Sequence, residues 1–226
     1  MGRPRYATRS WSIVGQLVSE NNATSDLLLL SGGVDSAAIA AIYRPSAALF
    51  VNYGQRPAPS EGRSATVISR ELDIPFHQLT IDLRPIGAGL LLGEFASSNQ
   101  PSPEWWPFRN QLLVSIAAAF AFRIGLKKVL VGSVFGDGNR HVDGRLEFYE
   151  ILDALLRLQE GEISVHAPGI AETTEQLVSR SGLGEDLLGW TVSCHRSEFP
   201  CGSCPGCWKR SRVMMNLGLL QPRAES

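Results

Sequence analysis

Apolar blocks alternate with amphipathic or alanine-rich segments along most of the chain, and this pattern predicts strands and helices in turn. The apolar blocks of strand length are residues 27–30, 47–52, 76–81, 127–132 and 163–167. The segments of helical character are residues 34–43, 64–72, 109–124, 148–159 and 172–181. Alternation at this spacing is typical of an α/β protein with a doubly wound parallel sheet. Ligands of such sheets lie beyond the carboxyl ends of the strands, so segments that follow strands are the candidates for function.

The motif SGGVDS follows the first predicted strand and opens the first predicted helix. Gly32 and Gly33 let the backbone approach a ligand closely, and the free N–H groups of a helix start favour an anion. Ser31 and Ser36 add hydroxyl donors, and the carboxylate of Asp35 suits Mg²⁺ beside a polyphosphate. No lysine follows the glycines, so the motif is not the loop G-x-x-x-x-G-K-[ST]. A serine-capped turn is the alternative, but the position after an apolar strand favours phosphate binding.

Two further polar segments follow predicted strands. Tyr53, Gly54 and Gln55 come directly after the second strand. The segment after the fourth strand holds a cluster of charged and imidazole side chains, which are Asp137, Arg140, His141, Asp143, Arg145 and Glu147. A solvated loop would explain this composition, but its place beyond a strand end favours a substrate pocket.

Aromatic and histidine side chains elsewhere favour structural roles. Residues 84–107 are rich in Gly, Pro and Ser and predict a flexible flap. Within this segment, we expect Trp105 and Trp106 to lie in the core or in a subunit contact rather than to stack on a base. His77 and His166 lie on predicted strands, and we expect them to be core or edge residues of the sheet rather than ligands of a metal.

Composition limits the class of protein. A chain of 226 residues that is 44% hydrophobic is typical of a globular domain with an appendage. The net charge of −1 gives no sign of a surface for nucleic acid or anionic membranes. No apolar run reaches the length of a membrane span, and the first twenty residues lack an apolar signal core. We therefore expect no membrane partner and a cytoplasmic location.

All four cysteines lie close together near the end of the chain, in the pattern C-x₆-C-x₂-C-x₂-C. In a reducing compartment this pattern at Cys194, Cys201, Cys204 and Cys207 favours a metal over disulfides. Four thiolates leave zinc no open position for water, so a structural Zn²⁺ site is predicted. An iron–sulfur cluster is the alternative, because four cysteines also suit it. The adjacent His195 is not needed as a ligand.

The motif SGGVDS resembles the PP-loop of N-type ATP pyrophosphatases, which split ATP into AMP and pyrophosphate and leave an adenylated substrate. Other segments in the same order extend the resemblance: NYGQR after the second strand, P-x-RN at residues 107–110, D-x₅-D-x-R-x-EF at residues 137–148, and TVSC followed by CGSCPGC. Together, over residues 27–216, the chain resembles the 7-cyano-7-deazaguanine synthase (QueC) family. The resemblance implies a PP-loop fold of the adenine nucleotide α-hydrolase-like type.

The resemblance also implies the reaction and its partners. ATP with Mg²⁺ would activate a 7-deazaguanine carboxylate, ammonia would displace AMP, and a second ATP-driven step would form the nitrile. The implied nucleotide site is Ser31, Gly32, Gly33, Asp35, Ser36, Tyr53 and Gln55, and the implied catalytic residues are Asp35, Ser36 and Arg109. The implied substrate contacts are Arg109, Asn110, Asp137, Asp143, Arg145 and Glu147. A homodimer is implied as well.

Several positions differ from the family pattern near the predicted substrate. Pro57 and Phe108 replace histidine and glycine, residues 139–142 replace the usual SGYP, and Thr174 stands where a lysine is expected. These differences motivate a second hypothesis, a relative such as those of antiviral defence gene clusters that passes the carboxylate to a protein or nucleic-acid amine. A tRNA-modifying enzyme is disfavoured because the composition is not basic. A non-enzymatic binding or scaffold module is disfavoured because SGGVDS is intact.

Three parts are predicted along the chain. Residues 1–25 form a polar N-terminal arm, residues 26–185 form the PP-loop ATP pyrophosphatase domain, and residues 186–226 form a zinc-binding C-terminal segment.

Overall fold

A computed structural model describes residues 25–94 and 100–220, so nearly all of the predicted arm at residues 1–25 lies outside the described residues. The strands are β1 Asp26–Leu29, β2 Ala47–Asn52, β3 Phe76–Thr80, β4 Lys128–Leu130 and β5 Ser164–His166. The α-helices are α1 Val34–Tyr43, α2 Ala58–Glu71, α3 Gly89–Leu92, α4 Arg109–Arg123, α5 Leu146–Arg157, α6 Thr174–Ser181, α7 Glu185–Trp190 and α8 Pro205–Asn216.

The strands form one parallel sheet in the order β3-β2-β1-β4-β5. Leu28 and Leu30 pack in a core with α1, α2, α6 and α8, whereas Leu27 and Val129 pack in a second core with α4 and α5. Helices therefore cover both faces, which explains why the strand sequences are apolar on both sides. The predicted doubly wound α/β class is confirmed.

Helix bounds differ from the prediction in the loop after β2 and in the tail. The helix predicted at residues 64–72 begins at Ala58, because prolines are tolerated in the first turn of a helix. In the tail, α7 and α8 were not predicted. The first turn of α8 lies inside the cysteine cluster, where the Sγ of Cys204 caps the helix by accepting from Cys207 N at 3.4 Å.

The strand order reverses at β1 and β4, and the segments after these two strands are close together. Gly132 follows β4, and a Cβ at this position would lie 3.1 Å from both N and Cα of Ser36. A side chain at this position would push the start of α1 away, so glycine favours this close approach. The start of α1 and the segment after β4 therefore form the two walls of one crevice.

The predicted flap at residues 84–107 is partly ordered against this crevice. It contains a 3₁₀ turn at Arg84–Ile86 and the short α3, while residues 95–99 lie outside the described residues. Trp106 is buried and packs edge-to-face on Tyr53, with ring centroids 5.0 Å apart. The predicted core role of Trp106 is confirmed. Among the described residues, no helix is long and apolar enough to span a membrane.

Candidate functional site

A cavity of about 360 Å³ opens beyond the carboxyl ends of β1, β2 and β4, at the position expected for a ligand of a doubly wound sheet. The predicted site residues in its lining are Ser31, Gly33, Asp35, Ser36, Tyr53, Gln55, Arg109, Asn110 and Asp137. The predicted residues outside its lining are Gly32, Asp143, Arg145 and Glu147. Segments that are far apart in sequence therefore meet at one concave site.

The SGGVDS loop is held from behind by α2 and by the tail. Gly32 has a φ of +77°, and a Cβ there would lie 2.6 Å from the carbonyl oxygen of Glu61. Its own carbonyl accepts hydrogen bonds from Ser64 Oγ at 2.8 Å and from Val192 N at 2.9 Å. Gly32 thus fixes the turn by its backbone and lies behind the cavity surface.

The front of the same loop presents donors to the cavity. The hydroxyl oxygens of Ser31 and Ser36 lie 3.2 Å apart, and Ser36 Oγ donates to the carbonyl of Gly33 at 3.1 Å. Gly33 precedes α1 without a side-chain cap. The unpaired N–H groups of this helix start therefore remain open to an anion in the cavity.

Asp35 lies in a charged cluster at the side of the loop. Its Oδ1 accepts from Thr174 Oγ1 at 2.7 Å, and its Oδ2 lies 3.0 Å from Lys209 Nζ. Lys209 also reaches Asp137 Oδ1 at 3.4 Å. Burial raises the pKa of Asp35, although the charge of Lys209 and the hydrogen bond from Thr174 oppose the rise. Thr174, where the resemblance led us to expect a lysine, thus contacts a carboxylate that receives an ammonium from α8.

The far wall of the cavity is a buried network around Arg109. Gln55 Oε1 accepts from Tyr53 N and its Nε2 donates to Glu61 Oε2, both at 2.8 Å, so its amide is engaged within the protein. Burial raises the pKa of Glu61 to about 7, against the hydrogen bond from Gln55 and the charge of Arg109. Burial by itself would lower the pKa of Arg109, but Tyr53 and nearby carboxylates outweigh it and raise that pKa. Arg109 therefore remains a positive charge in the wall.

The segment after β4 is only partly turned toward the cavity. Asn110 Nδ2 donates to the carbonyl of Asp143 at 3.1 Å, which places Asp143 behind Asn110. Arg145 Nε donates to the carbonyl of Gly138 at 3.2 Å, and both Arg145 and Glu147 are exposed. Asp143, Arg145 and Glu147 lie outside the lining of the cavity. Their predicted contacts with substrate stay predictions.

A buried carboxylate that the sequence did not single out lines the cavity. Glu104 is 3% exposed, and its Oε1 accepts from Arg140 Nη2 at 2.6 Å and lies 3.3 Å from His141 Nε2. His195 Nδ1 is 3.9 Å from Glu104 Oε2. Burial alone would raise the pKa of Glu104, but the hydrogen bond from His141 and the charges of His195 and Arg140 lower it to about 2. Arg140 and His141, two positions in the segment that we expect to differ from the family pattern, thus contact the same carboxylate.

The cysteine cluster is compact enough for a metal ion. The sulfur atoms of Cys194, Cys201, Cys204 and Cys207 all lie within 4.8 Å of one another, close to the separation of about 3.8 Å that tetrahedral zinc–thiolate bonds require. Backbone N–H groups point at the sulfurs, such as His195 N at 3.3 Å from Cys204 Sγ. Such donors favour thiolates, so the four residues fit a metal with sulfur ligands.

Several residues of the cavity lining were not predicted from the sequence. Glu61 lies in a stretch that was predicted to precede α2, and Glu104 lies in the predicted flap. Lys209 follows the last cysteine by two residues and is exceptional only because lysine is rare in this chain. That rarity is the one sequence feature that could have pointed to Lys209, and no role was predicted for it from the sequence.

The chain is similar to known proteins along most of its length. A family model described as "Queuosine biosynthesis protein QueC" matches residues 25–218. A protein of Rickettsia bellii (strain OSU 85-389) named "7-cyano-7-deazaguanine synthase" is 31% identical, over 80% of this chain and 89% of its own length. Proteins of the same name from Xylella fastidiosa (strain M12) and Koribacter versatilis (strain Ellin345) are 31% and 30% identical. They cover 87% and 91% of this chain and 93% and 94% of their own lengths.

Proposed function

This chain belongs to the QueC family of queuosine biosynthesis proteins, and we propose that it uses ATP to convert 7-carboxy-7-deazaguanine into 7-cyano-7-deazaguanine. The names of the relatives support this reaction. One structural observation carries the proposal: a single cavity contains the SGGVDS loop, the uncapped start of α1 and Arg109. A polyphosphate and a carboxylate can therefore bind side by side.

A carboxylate reacts poorly with amines, and the proposed chemistry activates it by turning one of its oxygens into part of a good leaving group. A substrate oxygen attacks the α-phosphorus of ATP, and the bond from that phosphorus to pyrophosphate breaks. Ammonia then bonds to the acyl carbon, loses a proton, and AMP departs with its electron pair. A second ATP activates the amide oxygen in the same way, and loss of AMP and the two amide protons leaves the nitrile.

The described residues divide this work by position. The serine hydroxyls and the first N–H groups of α1 would stabilise negative charge on the departing pyrophosphate. Arg109 would orient the substrate carboxylate by charge-assisted hydrogen bonds. Asp35 and Asp137 both contact Lys209 from opposite walls of the crevice, and their carboxylates are of the type that Mg²⁺ prefers. When bound, Mg²⁺ supplies positive charge beside the polyphosphate.

The proposal is tested with purified protein, Mg-ATP, 7-carboxy-7-deazaguanine and ammonium, by quantifying AMP, pyrophosphate and the deazaguanine products by mass spectrometry. We expect all three classes of product from the wild type. Asp35→Asn should lower the rate by about a hundredfold or more, because it removes a carboxylate that would hold Mg²⁺ beside the polyphosphate and that contacts Lys209. Glu150→Gln, on the exposed side of α5, should keep the wild-type rate. The absence of AMP from the wild-type reaction would refute the proposal.

A second candidate function is transfer of the activated carboxylate to an amine of a protein or nucleic acid. The observation that favours it is the contact of Glu104 with Arg140 and His141, because both partners lie where residues 139–142 differ from the family pattern. Mass spectrometry of candidate acceptors incubated with the enzyme, ATP and the deazaguanine acid tests it. Acceptors of increased mass support this function, and a product restricted to free amide or nitrile excludes it.

A further inference from the structure

We propose that Lys209 is the cation that binds the polyphosphate of ATP, and that the cysteine cluster fixes it there from outside the sheet. The inference rests on the proposed use of ATP. It assigns a nucleotide contact to the C-terminal tail, a part of the chain for which a structural role alone was predicted.

The position of Lys209 supports this role. Its side chain is 36% exposed and lines the cavity, and its Nζ lies 3.0 Å from Asp35 Oδ2 and 3.4 Å from Asp137 Oδ1. The ammonium therefore bridges the loop after β1 and the segment after β4, which are the two walls of the crevice. An ammonium has three donors, so it can keep one carboxylate and contact a phosphate oxygen at the same time.

The local charge balance requires such a cation. Asp35 and Asp137 place two carboxylates beside the loop that would receive a polyphosphate, and like charges at this distance repel. The two guanidinium groups of the described lining serve other partners, since Arg109 is the proposed contact of the substrate carboxylate and Arg140 is paired with Glu104. Lys209 is thus the cation of that lining placed to neutralise the phosphate side.

The cysteine cluster determines where Lys209 points. Cys204 and Cys207 both belong to the start of α8, and Lys209 follows on the next residues of the same helix. Gly206 lies against the carbonyl of Ser193, so closely that any Cβ would overlap it. Arg210, the residue after Lys209 in α8, donates from its Nε to Thr191 Oγ1 at 3.2 Å. The first two turns of α8 are therefore held against residues 191–193, beside the crevice.

The first experiment uses the chain's small number of lysines, which are Lys127, Lys128 and Lys209. Wild-type holoprotein is acetylated with a limiting reagent, with and without Mg-ATP, and each lysine is quantified by mass spectrometry. At ATP about tenfold above its Kd, labelling of Lys209 should fall to about a tenth, in line with site occupancy. Lys127 and Lys128, at β4, serve as internal controls and should not change. Equal labelling of Lys209 with and without bound ATP would overturn the inference.

The second experiment compares variants with their metal content and thermal unfolding measured first. Lys209→Met should reduce kcat/KM for ATP by about tenfold or more, because a charge-assisted hydrogen bond is lost. Lys209→Arg should recover most of that loss, and Lys127→Met should match the wild type. If Lys209→Met fails to fold, the labelling result decides alone. If the wild type binds no ATP, the proposed function is refuted. If the wild type and Lys209→Met bind ATP equally well, only the role of Lys209 is refuted.

Discussion

Burial of Glu61 makes the stability of this fold depend on pH. The carboxyl group lines the cavity on α2, receives a hydrogen bond from Gln55, and has its pKa raised from 4.5 to about 7 mainly by burial. Between these two values the folded protein keeps a proton that the unfolded chain releases. The free energy of unfolding therefore falls as pH rises through this window, by at most about 1.4 kcal/mol per pH unit.

Replacement of Glu61 tests this linkage. The unfolding free energy of Glu61→Gln, relative to wild type, should increase between about pH 5 and pH 8, because the variant has no carboxylate to ionise in a buried position. Urea titrations at several pH values measure it. Glu71→Gln, at the exposed end of the same helix, is the matched control and should follow the wild type. A constant difference between Glu61→Gln and wild type would show that Glu61 ionises normally in the folded protein.

At the scale of elements, the close approach of α8 to the segment before it holds the tail in place. A Cβ on Gly206 would overlap the backbone carbonyl of Ser193 and come within 2.7 Å of His195 Nε2. Backbone cannot yield as a flexible side chain does, so α8 would have to move away. The same segment is joined to the SGGVDS loop through Val192 N and the carbonyl of Gly32.

Gly206→Ala should therefore destabilise the protein by about 1–3 kcal/mol, the usual cost of overpacking, and should weaken ATP binding through displacement of α8. Thermal unfolding and nucleotide titration measure the two effects. Gly189→Ala is the control, because a Cβ there meets nothing within 4 Å. Equal behaviour of the two alanine variants would contradict the tight contact described for Gly206.

At the scale of the whole molecule, the tail belongs to the same packed body as the sheet. Val213 and Met214 of α8 lie in the core that contains Leu28 and α1, and Arg63 of α2 pairs with Glu198 at 2.6 Å. The division of the chain at residues 185 and 186 stays a prediction, as does the homodimer. A metal held by the cysteine cluster would stabilise this body and the nucleotide site together.

Loss of the metal should accordingly have two effects. Elemental analysis should find about one Zn²⁺ per chain, and Cys201→Ser should lose it, lower the unfolding temperature and weaken ATP binding. Ser203→Ala, which changes an exposed residue between the same ligands, should retain the metal. Iron with sulfide in place of zinc would establish the alternative cluster. A protein that lacks any metal and still unfolds at the same temperature after Cys201→Ser would exclude a metal site.

The positions of the strands along the chain and the turn of the first loop could be predicted, because both depend on short-range patterns. Apolar runs of strand length specify β1 to β5, and the glycines of SGGVDS specify a turn that few other residues can adopt. The four cysteines were equally readable, since metal ligation needs given residue types at close spacing. Their predicted proximity is confirmed by the sulfur atoms. Helix bounds in the tail were not predicted, because cysteine, glycine and proline obscure helical periodicity there.

What the sequence determined by itself is the class of fold, the glycine turn after β1 and the grouping of the four cysteines, because each follows from residues that are neighbours along the chain. Only the tertiary structure decided that Lys209 meets Asp35, that Glu104 meets Arg140 and His141, and that Arg145 and Glu147 lie outside the cavity lining. These contacts join residues from distant segments, and they depend on how α8, the flap and the β4 loop pack over one edge of the sheet. Linear spacing contains no information on such distances, since loop closure and packing set them.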